Sequence, residues 1–373
     1  MRQLSISRSV LLIIGLLTCL GLIAIYAASS LKGAQQFHDE FLFLRKQTIA
    51  ALFGGVLVWL IQIAPLRWLE RATLPTLGFV LILLSLIFIP GMYTKVGGAS
   101  RWLNLPIVGG QPAELAKLAI VLFLAKNLSR KKNDVRNLSR GILPNFLVLG
   151  IFSGLLLLQK DLGTPVLLFM VTFSMLFAAG VTREFIIYTL VAFVFCIIIA
   201  VTLEPYRVAR VLSFLDPWAQ MKGSGFQIIQ SFVAFSNGGL FGVGLGESKQ
   251  KLFFLPEAHT DFVLAVVGEE MGLVGVLTII FCLLGLTVLG YKIAYEQPTS
   301  YRQFLAFGLS TLLAIEALLN MGVVMGLLPT KGMPLPFVSS GNSSLLVFMV
   351  IGGVISKLAK ETSADRFHGP QGQ

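Results

Sequence analysis

The sequence predicts an all-α, polytopic membrane protein with about ten transmembrane helices and one large extracytoplasmic loop, and three observations carry that prediction. Of 373 residues, 55% are hydrophobic and 13% charged, and the mean hydropathy of +0.84 lies far from that of a soluble globular domain. Apolar runs long enough to cross the roughly 30 Å hydrocarbon core as helices recur along the whole chain. Between them only 204–261 is long, so the chain reads as a single membrane domain, 1–373, containing that loop.

The runs fall at 10–30, 42–64, 74–90, 113–128, 141–158, 163–180, 185–203, 262–291, 304–328 and 335–358. Arg2 and Arg8 precede the first, no A-x-A cleavage site ends it, and further runs follow, so it is expected to be a retained helix and not a signal peptide. The second and third flank a short turn carrying Arg67 and Arg71. The fourth holds Glu114 and Lys117 and stops at the basic stretch "SRKKNDVRNLSR", residues 129–140. "QKDLGTP" divides the fifth from the sixth, and Arg183 stands between the sixth and seventh. The eighth begins behind "FLPEAHTDF", the ninth carries Glu316 and Asn320, and the tenth follows "LLPTKGMP".

With the N-terminus inside, Lys and Arg concentrate in the inner segments. The short outer loops, with Lys32, Arg45, Lys46, Lys95, Arg101, Lys160 and Lys331, hold fewer than half as many. Both termini are therefore expected on the cytoplasmic side and the loop 204–261 outside. The net charge of +11 is then a topology and anionic-lipid signal, with 129–140 as an inner-face anchor, and no nucleic-acid partner is expected. Cys19, Cys196 and Cys282 lie within apolar runs without C-x-x-C spacing, which argues against a disulfide framework or a zinc site.

Ionisable groups inside a span cost about 2.5–3.5 kcal/mol each and gather around polar cavities or one another. Glu114 and Lys117, three residues apart in "QPAELAKLA", can pair on one helix face, either as a structural ion pair or as part of a site. Asp161 lies at the outer end of the fifth run, Glu269 and Glu270 about two turns into the eighth, and Glu316 and Asn320 form an i, i+4 polar pair in the ninth. Asp261 heads the eighth run on the outer side, beside His259 and Glu257 and after Pro256. A carboxylate at the mouth of an apolar cavity is a candidate general base, because partial desolvation strengthens its hold on a proton. The same position suits a helix N-cap, and spacing alone does not separate the two. Within the loop, "FQIIQSFVAFS" has the spacing of an interfacial helix, and the glycines of 238–246 lack the strand and helix context of a nucleotide loop and read as turns.

Five stretches together resemble the SEDS family (shape, elongation, division and sporulation), the cell-wall polymerases. They are "GGASRWLNL…QPAELAKLA", "KDLGTP", "RVLSFLDPW", "LPEAHTDFVLAVVGEEMGLVG" and "LLPTKGMPLPFVSSGNSSLL", in family order over nearly the whole chain. "PEAHTDF" followed by "GEEMG" is more similar to division-type than to elongation-type members. One departure is in the last stretch, where the family has Y-G-G and this chain has Ser340, Gly341 and Asn342.

The resemblance implies a peptidoglycan glycosyltransferase that polymerises lipid II at the outer face of the bacterial cytoplasmic membrane, in septal or lateral wall synthesis, with undecaprenyl pyrophosphate leaving and the anomeric centre inverted. The family's essential aspartate falls on Asp261, as base for the acceptor GlcNAc 4-hydroxyl. Its intramembrane Glu and Lys fall on Glu114 and Lys117, and its D-L-G-T aspartate on Asp161. The implied partners are a class B penicillin-binding protein, the transpeptidase, and other divisome or elongasome membrane proteins. A pyrophosphate needs cations, and Lys117, Arg101, Arg207 and Arg210 are available. A divalent cation, Mg or Mn, is a chemically reasonable helper for the leaving group, although no motif specifies one. Two rival readings follow from the same spans and charges: a flippase of lipid-linked sugars, and a non-catalytic scaffold for the transpeptidase.

Overall fold

The computed structural model describes residues 2–96, 99–103, 110–130, 137–221, 223, 225–248, 255 and 258–368. Helices α1 (Arg2–Phe37), α2 (Leu42–Ile63) and α3 (Leu66–Leu86) lead into a short antiparallel hairpin, β1 (Tyr93–Val96) with β2 (Ala99–Leu103). Then come α4 (Pro112–Arg130), α5 (Leu143–Leu158) entered through a π-helical turn at Leu138–Ile142, α6 (Gly163–Ala178) and α7 (Arg183–Thr202). The long loop contains α8 (Pro205–Leu215) and α9 (Phe226–Gly238), and the chain closes with α10 (Val263–Tyr295), α11 (Ser300–Val324) and α12 (Asn342–His368).

Each of the ten expected runs coincides with a helix. Among the described residues, eight are long and apolar enough to cross a membrane, and the exceptions have plain causes. Helix α6 is apolar but has only 16 residues, and α4 carries Glu114, Lys117, Lys126 and Arg130. The tenth helix starts at Asn342 and not at 335, because Pro334 and Pro336 lack backbone N–H groups and force their preceding residues out of helical conformation. The third begins at Leu66, eight residues before 74, and accommodates Pro75 inside it. The ninth ends at Val324, where Gly326 turns left-handed (φ +67°) and Leu327 N–H bonds back to the Gly322 carbonyl. The "FQIIQSFVAFS" helix, α9, buries Ile228, Ile229, Ser231 and Ala234 against α10 and exposes Phe232 and Val233 on its other face. The amphipathic helix of the loop is α8, which exposes Leu212 and Leu215 and turns Arg207 inward.

Helices α4, α11 and α12 are the most buried, while the most apolar stretch of α7 is wholly peripheral. Near the N-terminus the Ser7 and Ser356 hydroxyls, 2.9 Å apart, tie α1 to α12, the kind of polar contact that substitutes for the missing hydrophobic driving force between spans. Helix α10 is broken at Gly272 (φ 64°, ψ −163°). The 239–244 segment runs through the break: Val243 and Gly244 N–H groups bond the Glu269 and Glu270 carbonyls at 2.9 and 3.1 Å, and Leu273 and Val274 N–H groups bond the Gly239 and Leu240 carbonyls at 3.0 and 3.2 Å. Only glycine fits at 272, where a side chain would strike the Gly242 and Leu240 backbone. The outer piece of α10, residues 263–271, is thereby a separate short helix seated on the loop, with Asp261 just before it.

Candidate active site

A cavity of about 510 Å³ opens at the end of the bundle that bears the long loop, walled by β2, α4, the α5–α6 turn, α8, the start of α10 and the 330–344 segment. Five cationic side chains (Arg101, Lys117, Lys160, Arg210, Lys331) face three carboxylates (Glu114, Asp161, Asp261) across it.

At its floor, Lys117 of α4 sits between two acids. Its Nζ lies 2.8 and 2.9 Å from the two oxygens of Glu114, one turn back, and 2.5 Å from Glu316 Oε1 on α11. All three are buried, and the Phe348 ring stands 5.7 Å from the ammonium. One turn along α11, Asn320 Nδ2 donates to the main-chain carbonyl of Asp261 at 3.0 Å and to that of Met333 at 2.6 Å.

The walls are laced by cation-to-carbonyl bonds. Arg101 Nη2 and the Tyr206 hydroxyl both donate to the Lys160 carbonyl, at 2.5 and 3.1 Å, which holds Lys160 left-handed (φ 62°). Arg210 Nη1 donates to the Thr330 carbonyl at 3.1 Å. Asp161 accepts the N–H groups of Gly163 and Thr164 and the Thr164 hydroxyl, closing the first turn of α6. Burial pushes the Asp161 carboxyl up, but the Arg101 and Lys331 charges and the Thr164 bonds outweigh it and hold it below its ordinary value. Burial pulls the Lys331 ammonium down to about 8, with Asp161 opposing and Lys117 adding to the effect. Burial also lowers Arg210, opposed by Tyr206 and Asp261. Among the described residues, two buried donor atoms, Lys331 Nζ and Arg101 Nε, have no hydrogen-bond partner. Buried N–H groups are ordinarily satisfied, so a cationic pair left open in a cavity is suited to an anionic ligand.

Asp261 lies in the turn before α10 with Oδ2 against the Cα of Gly332, where an added Cβ would stand 2.6 Å away. It is not the helix cap: Phe262 occupies that position and supplies no side-chain cap. Of the residues singled out in the sequence, Asp261, Glu114, Lys117, Asp161, Arg101 and Arg210 meet in the cavity. His259 does not. Its ring packs on Phe43 at 5.0 Å and its carbonyl accepts the Ser340 N–H. Arg207 is turned away from the cavity, donating to the Ala200 carbonyl and the Tyr206 oxygen. Glu257 lies outside the described residues. Three contributors were passed over. Lys331 reads in the sequence as a loop charge, although it is the only cation in an apolar, proline-rich stretch. Glu316 and Asn320 read as a local pair, whereas their partners lie on other elements.

The described residues present no ready-made cage for a divalent ion. Asp161 already accepts three hydrogen bonds and Glu114 is engaged by Lys117, and among the described residues no three His, Cys, Asp or Glu side chains gather at ligand spacing.

Apolar grooves leave the cavity on two faces. One, of about 350 Å³, shares Arg101, Lys160, Asp161, Arg210 and Lys331 with it and continues between α6, α7 and α11 past Val166, Ile197 and Leu319. It adjoins a further apolar groove of about 540 Å³ between α5, α6 and α7. The other, of about 310 Å³, shares Gln111 and Ser343 with the cavity and runs between α2, α3, α4 and α12.

A helical bundle with several membrane spans, a charged cavity at one end and apolar grooves opening from it defines a multi-pass membrane protein built to bring a polar headgroup and an apolar tail together. The cell cycle protein family of FtsW, RodA and SpoVE matches residues 7–364, and the chain belongs to that family. A probable peptidoglycan glycosyltransferase FtsW of Geobacter metallireducens is 45% identical over 347 residues, covering 93% of this chain and 92% of the relative. Its counterpart in Coxiella burnetii is 40% identical over 93% of this chain and 94% of the relative. Among solved structures, one describing the structural coordination of polymerization and crosslinking by a peptidoglycan synthase complex superposes with a TM-score of 0.75 at 28% identity, covering 95% of this chain and 97% of the other. The rod shape determining protein RodA of Thermus thermophilus shares the fold with a TM-score of 0.69 at 24% identity, over 96% and 97% of the two chains.

Proposed function

We infer that the chain is a peptidoglycan glycosyltransferase of the FtsW type that polymerises lipid II at the outer face of the bacterial cytoplasmic membrane, with both termini cytoplasmic. The observation that carries this reading is that Asp261 shares the cavity with Lys331 and Arg101, whose Nζ and Nε atoms are buried without a hydrogen-bond partner among the described residues, where an apolar groove meets the cavity. A lipid-linked pyrophosphate has the matching parts: a dianionic centre for the cations and a polyprenyl tail for the groove. Asp261 takes the proton from the acceptor 4-hydroxyl, and that oxygen attacks the anomeric carbon of the donor sugar. The bond to the pyrophosphate breaks and the leaving group departs with its electron pair, its developing charge met by Lys331, Arg101 and Arg210. Lys117, engaged by two carboxylates, shapes the floor instead of contacting phosphate. No step is routed through a metal ion. The synthase complex among the similar structures supports a transpeptidase partner, a class B penicillin-binding protein.

The test is polymerisation of purified lipid II by the protein together with its transpeptidase, comparing wild type with Asp261→Asn. Long glycan strands from wild type and none from an equally well folded variant are expected. Wild-type strands from Asp261→Asn would remove the base assignment, and lipid II crossing leaflets without being consumed would favour transport.

A further inference from the structure

The base and the unsatisfied Lys331 belong to segments 70 residues apart in sequence, and neither lies inside a helix. Asp261 is in the turn that leads into α10, and Lys331 is in the non-helical stretch between α11 and α12. Reaction requires these two groups at a fixed separation, one on the attacking hydroxyl and the other on the departing phosphate. Something must therefore join the two stretches.

Asn320 occupies that place. Its side chain projects from α11, is buried to within 1%, and offers one amide group to two acceptors, the Asp261 carbonyl at 3.0 Å and the Met333 carbonyl at 2.6 Å. Two carbonyls can be served only by the NH₂ end of the amide, so the orientation of the side chain follows from chemistry. Among the described residues the amide oxygen is left buried without a hydrogen-bond partner, as expected of an amide turned so that its NH₂ end serves both carbonyls. Gly332, next to Met333, is also the residue whose missing side chain leaves room for the Asp261 carboxylate. The two segments therefore touch at Gly332 and are bolted at Asn320.

We propose that Asn320 is a positioning residue for the glycosyl transfer: by holding the Asp261 and Met333 main chains on one amide, it sets the base relative to Lys331. This rests on the assignment of Asp261 as base. Asn320→Leu keeps the volume and removes the donor. Asn320→Asp keeps the shape and offers at most one donor, and it carries the comparison if the leucine variant does not fold.

The experiment is a double-mutant cycle on lipid II polymerisation by the complex with its transpeptidase, using Asn320→Leu, Lys331→Met and the double variant, with Asp261→Asn run in parallel. Asn320→Leu is expected to lower kcat by about 10- to 100-fold with KM changed less than about threefold, because misplacement of about 1 Å costs that much. In the Lys331→Met background the same substitution is expected to cost less than about threefold, since the partner it positions is gone. Wild-type kcat in Asn320→Leu, or an equal loss in both backgrounds, would overturn the proposal and leave Asn320 a structural residue. Activity in Asp261→Asn would instead remove the base assignment, and the positioning role with it, whatever the cycle gives.

Discussion

Replacing Gly332 by alanine separates catalysis from folding more cleanly than any change to a charged residue. The new Cβ would stand 2.6 Å from Asp261 Oδ2, and to regain ordinary contact at about 3.4 Å the carboxylate must retreat by about 0.8 Å. The backbone raises no objection, since Gly332 is not among the residues with positive φ. Alanine should even add about 0.4–1 kcal/mol by restricting the unfolded chain. On the proposed mechanism the carboxylate is then displaced by about an ångström from the position in which it takes the proton, a misplacement that costs about 10- to 100-fold in kcat. The expected signature is thus an unchanged or slightly raised melting temperature in detergent, intact binding of the transpeptidase, and a large loss in glycan polymerised per minute. Gly55→Ala, on α2 with open space around it, is the matched control and should leave both measurements alone. A Gly332→Ala protein that polymerises at the wild-type rate would refute the argument, because it would mean that the position of the Asp261 carboxylate does not matter.

Other outcomes follow from the same geometry. Lys117→Met leaves Glu114 and Glu316 buried without their shared cation and should destabilise by about 3–5 kcal/mol, read as a lower melting temperature; the triple change with Glu114→Gln and Glu316→Gln should recover most of it. Equal melting of Lys117→Met and wild type would show that the triad contributes little. Lys331, held down to about 8, is charged at neutral pH and loses its charge as pH rises through that value, so KM for lipid II should climb between about pH 7.5 and 9. Lys331→Arg stays charged throughout and should flatten that limb, and a wild-type KM constant over this range would contradict the assignment. The sign for stability is opposite: the folded chain binds this proton less tightly than the unfolded chain, so its destabilising contribution is present below about 8 and is relieved as pH rises toward the ordinary lysine value of 10.5.

Hydropathy alone places the ten runs that become helices, of which eight, among the described residues, are long and apolar enough to cross a membrane, because burial in lipid demands long apolar runs whatever the partners are. It misplaces the start of α12, where apolar residues 335–338 satisfy a hydropathy window while Pro334 and Pro336 deny the helix its hydrogen bonds. The local motifs give Asp261, Asp161 and the Glu114–Lys117 pair, since each announces itself as a charge in an oily context. The third member of the triad, Glu316, stands 199 residues from Lys117, and no periodicity links them. Asn320 is harder still to see, because its partners are main-chain carbonyls that leave no trace in residue identity. Lys331 is visible only as one more outer-loop cation until the fold turns it inward. His259 stands two residues from Asp261 in the sequence, yet the fold sets its ring against Phe43 and leaves it out of the cavity lining.

The three-way charge contact between α4 and α11 also bears on how the protein is made. Helix α4 enters the membrane with Glu114 and Lys117 paired only to each other, at an insertion cost that its apolar residues scarcely offset, and among the described residues it is not one of the eight helices apolar enough to span alone. Glu316 is synthesised 199 residues later. In the interval six helices, α5 to α10, must emerge, two of them within the long loop, so α4 has to be sheltered by α3, against which it packs, before its final counter-charge exists. The site's floor closes only when α11 arrives, and biogenesis of this protein is expected to depend on whatever in the translocation machinery can hold a half-neutralised helix until then.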